Sequence, residues 1–173
     1  MFEGVIKSFQ FYGFAVIQLL IEPKRFFMEL SNNTTFVKSL GFCVICSIFY
    51  VAASLLTGVY LNIVKTGFVL ILKSAGMVFL SASLSYMVVL MFIGKKCDFE
   101  LFFSVYVFSS SVVLLVSWIS FSLWFTEPWK WWLVYKGFKN TCNLSWESTL
   151  SVLLITVFAQ FFLMYSLNLC FPI

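Results

Sequence analysis

Four long apolar stretches constrain the fold of this chain more than any motif does. The stretches 40–63, 68–93, 101–125 and 148–169 contain one charged residue between them, Lys73. A transmembrane helix needs about 20 consecutive, predominantly apolar residues. The whole chain is 62% hydrophobic and 10% charged, whereas a soluble domain has roughly 25% charged residues. The sequence therefore predicts an all-α, polytopic transmembrane helical bundle with four full spans.

The remaining segments are predicted to be helical without crossing the bilayer. Residues 1–38 form an N-terminal segment that begins with an amphipathic helix over 1–21, suited to the headgroup plane. Pro23 is well placed to start a second helix. The bundle then occupies 39–173. Within it, the tryptophan-rich and lysine-containing stretch 128–139 predicts an interfacial or half-spanning helix. Before the last span, the stretch 143–147 supplies an N-cap and an acidic first turn.

The polar side chains inside the predicted spans are mostly hydroxyls. Ser81 and Ser85 fit a small-xxx-small contact, which predicts a helix–helix face within this chain or toward a partner. Three consecutive serines, 109–111, predict a bend or a protein-facing surface, with a substrate pathway as the alternative. Gln160 is expected to bond a neighbouring helix. The predicted packing or partner face comprises Ser74, Ser81, Ser85, Ser109, Ser110, Ser111 and Gln160.

Lysines and tryptophans mark the expected membrane boundaries. Lys73 lies inside the second predicted span, where a lysine can extend its ammonium to the interface. This reading is favoured over a buried ion site, because no predicted span contains an acidic residue. The predicted interfacial anchors are Lys24, Arg25, Lys73, Trp129, Trp131, Trp132 and Lys136.

The distribution of cations depends on whether 128–139 crosses the membrane. Four crossings put six cations on the side of the N-terminus: Lys7, Lys24, Arg25, Lys38, Lys95 and Lys96. A fifth crossing adds Lys136 and Lys139 to that side. The count then becomes eight against two, or against three if Lys73 is included. Both arrangements place the N-terminus in the cytoplasm and disagree on the C-terminus.

The chain lacks the residues that most enzymes need. It has no histidine, and Cys43 and Cys46 form a C-x-x-C within an apolar run, where helix packing is the expected role. We therefore predict a non-enzyme with no catalytic, cofactor-binding or metal-binding residue. No basic pattern indicates nucleic-acid binding. The expected partners are membrane lipids and other integral membrane proteins, and the sequence identifies no small-molecule substrate.

Two functions fit this pattern. The first is a non-catalytic scaffold or accessory subunit of a larger membrane complex, because the chain offers abundant helix and lipid contacts and little chemistry. The alternative is a small stand-alone transporter or lipid-handling protein whose path follows Lys73 and the serine cluster 109–111.

Two stretches resemble the Yip1-domain family of small multi-pass membrane proteins. In 19–27, an apolar pair precedes a proline and then phenylalanines, and 132–138 carries a tryptophan–apolar–glycine segment that leads to a leucine–serine helix start in 144–148. The family often has a tyrosine followed by a proline in its third span, whereas Tyr106 is followed by serines. The resemblance implies a compact, bacterial-type member, no catalysis and a bundle nearer five crossings than four. The expected location is therefore the bacterial cytoplasmic (inner) membrane. Its eukaryotic members are associated with membrane traffic and small GTPases.

Overall fold

The computed structural model describes residues 2–33, 35–58, 61–92, 94, 98–119, 121–142 and 144–170. These residues form seven helices and no strand: α1 Phe2–Ile21, α2 Pro23–Asn33, α3 Phe36–Thr57, α4 Ile63–Phe92, α5 Phe99–Leu114, α6 Leu123–Thr141 and α7 Trp146–Cys170. The all-α prediction is confirmed. Asn143, at the predicted start of the last helix, lies outside the described residues, as do Lys95 and Lys96 of the orientation count.

Helices α3 and α4 are the two described helices that are long and apolar enough to cross a membrane. They correspond to the predicted spans 40–63 and 68–93. Helix α5 and the described apolar part of α7 fall into a shorter class. The predicted number of four full spans is therefore not confirmed by length and composition.

The third predicted span, 101–125, is wrong in its extent. Helix α5 has 16 residues and ends at Leu114, after which the chain turns. Ser117 and Ser122 each donate a hydroxyl to a backbone carbonyl three or four residues earlier, at 2.8 and 2.7 Å. The predicted span is therefore divided into α5, a turn and the first residues of α6.

The predicted interfacial helix 128–139 is longer in the structure. Helix α6 has 19 residues and includes Pro128. At 1.5 Å per residue its length is about 28 Å, close to the roughly 30 Å thickness of a bilayer core. Pro128 lies in the second turn, where its missing N–H leaves one backbone carbonyl without its ordinary donor. The helix nevertheless continues on both sides of Pro128.

Helices α3 to α7 alternate in direction. Helix α3 is parallel to α5, since Ser39 and Ser104 bond at 2.7 Å near their N-terminal ends. Helix α6 runs against α5, because its C-terminal Phe138 lies 4.4 Å from the N-terminal Phe102, between ring centroids. Helix α7 runs against α4, since Thr156 bonds Ser85 at 2.8 Å while Gln160, one turn later on α7, bonds Ser81, one turn earlier on α4.

Helices α1 and α2 pack at the bundle end that holds the start of α3. Tyr12 of α1 lies 5.5 Å from the ring of Phe42 on α3. On α2, the fully buried Phe27 accepts at its carbonyl a bond of 3.0 Å from Thr141, the last residue of α6. In contrast, α1 exposes Phe14 and Ile17. A helix is therefore present where the N-terminal helix was predicted, and its exposed residues include large apolar ones.

Candidate functional site

A cavity of about 270 Å³ with polar and apolar lining lies between α3, α4, α5, α6 and α7, toward the end of the bundle away from α1 and α2. It is next to the C-terminus of α5, where that helix stops short. Its polar lining residues are Tyr50, Lys73, Ser74, Ser81, Ser110, Ser117, Glu127, Lys130 and Gln160. Five predicted residues thus converge on one cavity: Lys73, Ser74, Ser81, Ser110 and Gln160.

Three charged side chains line the cavity. Lys130 and Glu127 form an ion pair at 2.5 Å on the first turns of α6, and Lys130 Nζ also lies 5.0 Å from the ring of Trp131. Lys73 on α4 has no ion pair within the described part of the chain. Two lysines and one glutamate give the lining a formal charge of +1, and Lys73 contributes the uncompensated cation.

Four polar lining residues are absent from the predicted site residues: Tyr50, Ser117, Glu127 and Lys130. Glu127 matters most among them, because it is the acidic one. Its position next to Pro128 suggested an interfacial segment, so the predicted spans contained no acidic residue. Treating 123–141 as a helix antiparallel to α5 would have placed Glu127 at the same end of the bundle as Lys73. The available signal was the more asymmetric cation count of the five-crossing arrangement.

Most hydroxyls at the cavity are already engaged. Ser74 donates to its own helix backbone at 3.1 Å, and Ser81 does so at 2.6 Å. Gln160 Nε2 donates to Ser81 Oγ and links α7 to α4. Ser110 differs, because it is 8% exposed and makes no hydrogen bond to another described residue. Its hydroxyl is therefore available to an occupant of the cavity.

The other predicted serines lie deeper in the bundle. Ser85 is fully buried and bonds both Tyr106 and Thr156, which joins α4 to α5 and α7. Ser109 and Ser111 are also fully buried, and neither lines the cavity. The contacts of Ser81 and Ser85 are with helices of this chain, which is one of the two arrangements that their spacing predicted.

The tryptophans predicted as anchors lie on α6. Trp129 and Trp132 are partly exposed, with ring centroids 5.0 Å apart. Lys136 Nζ lies 5.5 Å from the ring of Trp132, whereas Trp131 is half-buried beneath Lys130. Two of the tryptophans on α6 thus each lie beside a lysine of the same helix.

The anchors on α2 line a wider surface cleft of about 720 Å³ near Lys24 and Trp132. Arg25 bonds Glu29 at 2.9 Å and approaches Glu22 at 3.6 Å. The hydrogen bond from Arg25 lowers the pKa of Glu29 below its usual value. The lining of this cleft holds three cations, Lys24, Arg25 and Lys136, and two carboxylates, Glu22 and Glu29, so its formal charge of +1 equals that of the cavity.

No group of three or more histidine, cysteine, aspartate or glutamate side chains with metal-site geometry occurs among the described residues. Cys43 and Cys46 are buried and do not form a disulfide.

Comparison with known proteins gives one match. The family model described as the Yip1 domain matches residues 17–167. That range begins within α1, ends within α7 and contains every residue that lines the cavity. No curated protein and no solved structure matches the chain.

Proposed function

This chain belongs to the Yip1-domain family, a family of membrane proteins, and we propose that it is a non-catalytic protein that binds the polar end of a lipid. The carrying observation is the cavity that Lys73, Ser110, Glu127 and Lys130 line at one end of the bundle. Within a bilayer, a polar group without a partner costs several kcal/mol. A cavity that presents a lysine and a free hydroxyl at this depth is thus suited to a polar occupant.

The proposed topology has five crossings of a bacterial inner membrane, formed by α3 to α7. The N-terminus lies on the cytoplasmic side. The alternating directions of the helices and the length of α6 support it. It also puts eight of the eleven cations on the side of α1 and α2, as expected for the cytoplasmic side. The cavity then opens in the opposite leaflet.

Five crossings predict that the two chain termini are on opposite sides of the membrane. Fusions of a cytoplasm-active reporter and of an export-active reporter are made at the N-terminus and at the C-terminus of the full chain. We expect only the cytoplasmic reporter to work at the N-terminus and only the exported reporter at the C-terminus. Cytoplasmic activity at both termini would instead establish an even number of crossings.

If the protein binds a lipid, that lipid should remain with the protein after extraction from the membrane. The full chain is extracted in mild detergent, captured through an N-terminal tag and analysed by mass spectrometry for lipids and proteins. We expect a lipid at close to one per chain that survives detergent washing. A captured chain without any retained lipid would contradict the proposal.

A second candidate is the scaffold or accessory-subunit function. Its supporting observation is the outward surface of α3 and α4, since only 28% and 22% of their apolar windows are buried within this chain. The same capture experiment tests it. Stoichiometric membrane proteins in the eluate support this function, and a chain accompanied by lipid alone contradicts it.

A further inference from the structure

The charges around the cavity indicate which kind of polar group it holds. Of the two lysines that line the cavity, Lys130 is paired with Glu127, whereas Lys73 has no ion pair with a described residue. The lining therefore carries one uncompensated positive charge. A lining with a net positive charge attracts an anion and repels a cation, so an anionic occupant is favoured over a cationic one.

Hydrogen-bond donors reach the same space from two further helices. Ser110 on α5 is more than nine-tenths buried, lines the cavity and has no described partner. Gln160 on α7 uses its amide nitrogen toward Ser81, and an NH₂ group carries a second N–H. Lys73 on α4 completes a set of donors from three helices. A group with several acceptor oxygens matches this set better than a single carboxylate does.

We infer that the cavity binds a phosphate group, held by the ammonium of Lys73 and the hydroxyl of Ser110. The inference rests on the proposed function for the source of that group, an anionic phospholipid whose headgroup enters between α4 and α6. Lys73 lies at the cavity edge, as an exposed residue about 15 Å along α4 from Ile63. A lysine that snorkels along its helix reaches a headgroup phosphate from this position.

The chain provides a matched pair of variants for testing this inference. Lys73→Met removes the ammonium at the cavity, and Lys65→Met removes a lysine of the same helix that does not line it. Both change the net charge equally. Native mass spectrometry of the full chain in detergent measures binding of phosphatidylglycerol and of diacylglycerol with the same acyl chains.

We expect phosphatidylglycerol to bind at least about tenfold more tightly than diacylglycerol. Lys73→Met is expected to lose about tenfold in affinity, because hydrogen bonds to charged groups are the stronger class. Lys65→Met should remain close to the unsubstituted chain, and Ser110→Ala should lose severalfold. Glu127→Gln should bind more tightly, because it removes the negative charge beside the site. Thermal unfolding of each variant verifies that it is folded.

The outcomes separate this inference from the proposed function. Equal binding of the two lipids, or equal losses for Lys73→Met and Lys65→Met, would overturn the phosphate site while lipid binding stands. Inorganic phosphate that binds as tightly as phosphatidylglycerol would support the phosphate site and overturn the lipid as its source. Failure of both lipids and of inorganic phosphate to bind would overturn both proposals.

Discussion

Gly137→Ala is expected to lower the free energy of unfolding by about 2 kcal/mol. Gly137 is buried where α6 meets α5 and α2, and a methyl group there would come within 3.0 Å of Val105 Cγ1 and 3.2 Å from Phe27 Cε1. Valine is stiff at χ1, so Val105 has little room to move aside. The overpacking cost of about 1–3 kcal/mol or more exceeds the gain of up to ~1 kcal/mol in helix propensity.

Thermal unfolding in detergent measures this effect. A loss of 2 kcal/mol corresponds to a midpoint lower by roughly 4–8 °C for a chain of this size. Gly76→Ala is the control, because nothing lies within 4 Å of the added methyl group in the middle of α4. Adding Val105→Ala to Gly137→Ala removes both clashing methyl groups and should restore part of the loss. An unchanged midpoint for Gly137→Ala would contradict the close packing of α5 and α6.

Tyr106→Ala is expected to destabilise the bundle by about 3–5 kcal/mol. The Tyr106 side chain is 1% exposed and packs 5.5 Å from the ring of Phe138, between centroids. Its hydroxyl bonds Ser85. The substitution therefore opens a large void where α4, α5, α6 and α7 meet, and it leaves Ser85 with Thr156 alone.

Two comparison variants separate the void from the hydrogen bond. Tyr106→Phe keeps the ring and should cost only about 1 kcal/mol, because Ser85 keeps its bond to Thr156. Phe121→Ala removes an aromatic ring that is 72% exposed and should change the unfolding midpoint little. Similar midpoints for Tyr106→Ala and Phe121→Ala would show that Tyr106 is not a packing centre.

The sequence predicted those helices that are defined by the hydropathy or the capping residues of a single stretch of chain. The apolar stretches that became α3 and α4 are continuous, so composition alone identifies them. The predicted start of the last helix is confirmed, since Ser145 Oγ accepts a bond of 3.3 Å from the backbone of Ser148, and Glu147 lies in the first turn. Capping acts over three or four residues, which is the range that a sequence pattern reports.

The limits of α5 and α6 were harder to predict. The residues 101–125 are apolar throughout, and a hydropathy pattern does not distinguish a continuing helix from a turn whose serines bond nearby carbonyls. Helix α6 contains Glu127, Pro128 and Lys130, so its composition resembles that of a helix at the membrane surface. Its antiparallel placement depends on contacts such as Gly137 with Val105, which join residues far apart in the chain.

The sequence by itself determined the membrane class, the helical fold and the small set of polar residues available for function. Only the tertiary structure decided that Lys73, Ser110 and Gln160 line one cavity with Glu127 and Lys130, and that Ser81 and Ser85 bond within this chain. The physical reason is the range of the interactions. Hydropathy and capping are properties of neighbouring residues, whereas a cavity forms where five helices pack and one of them, α5, ends early.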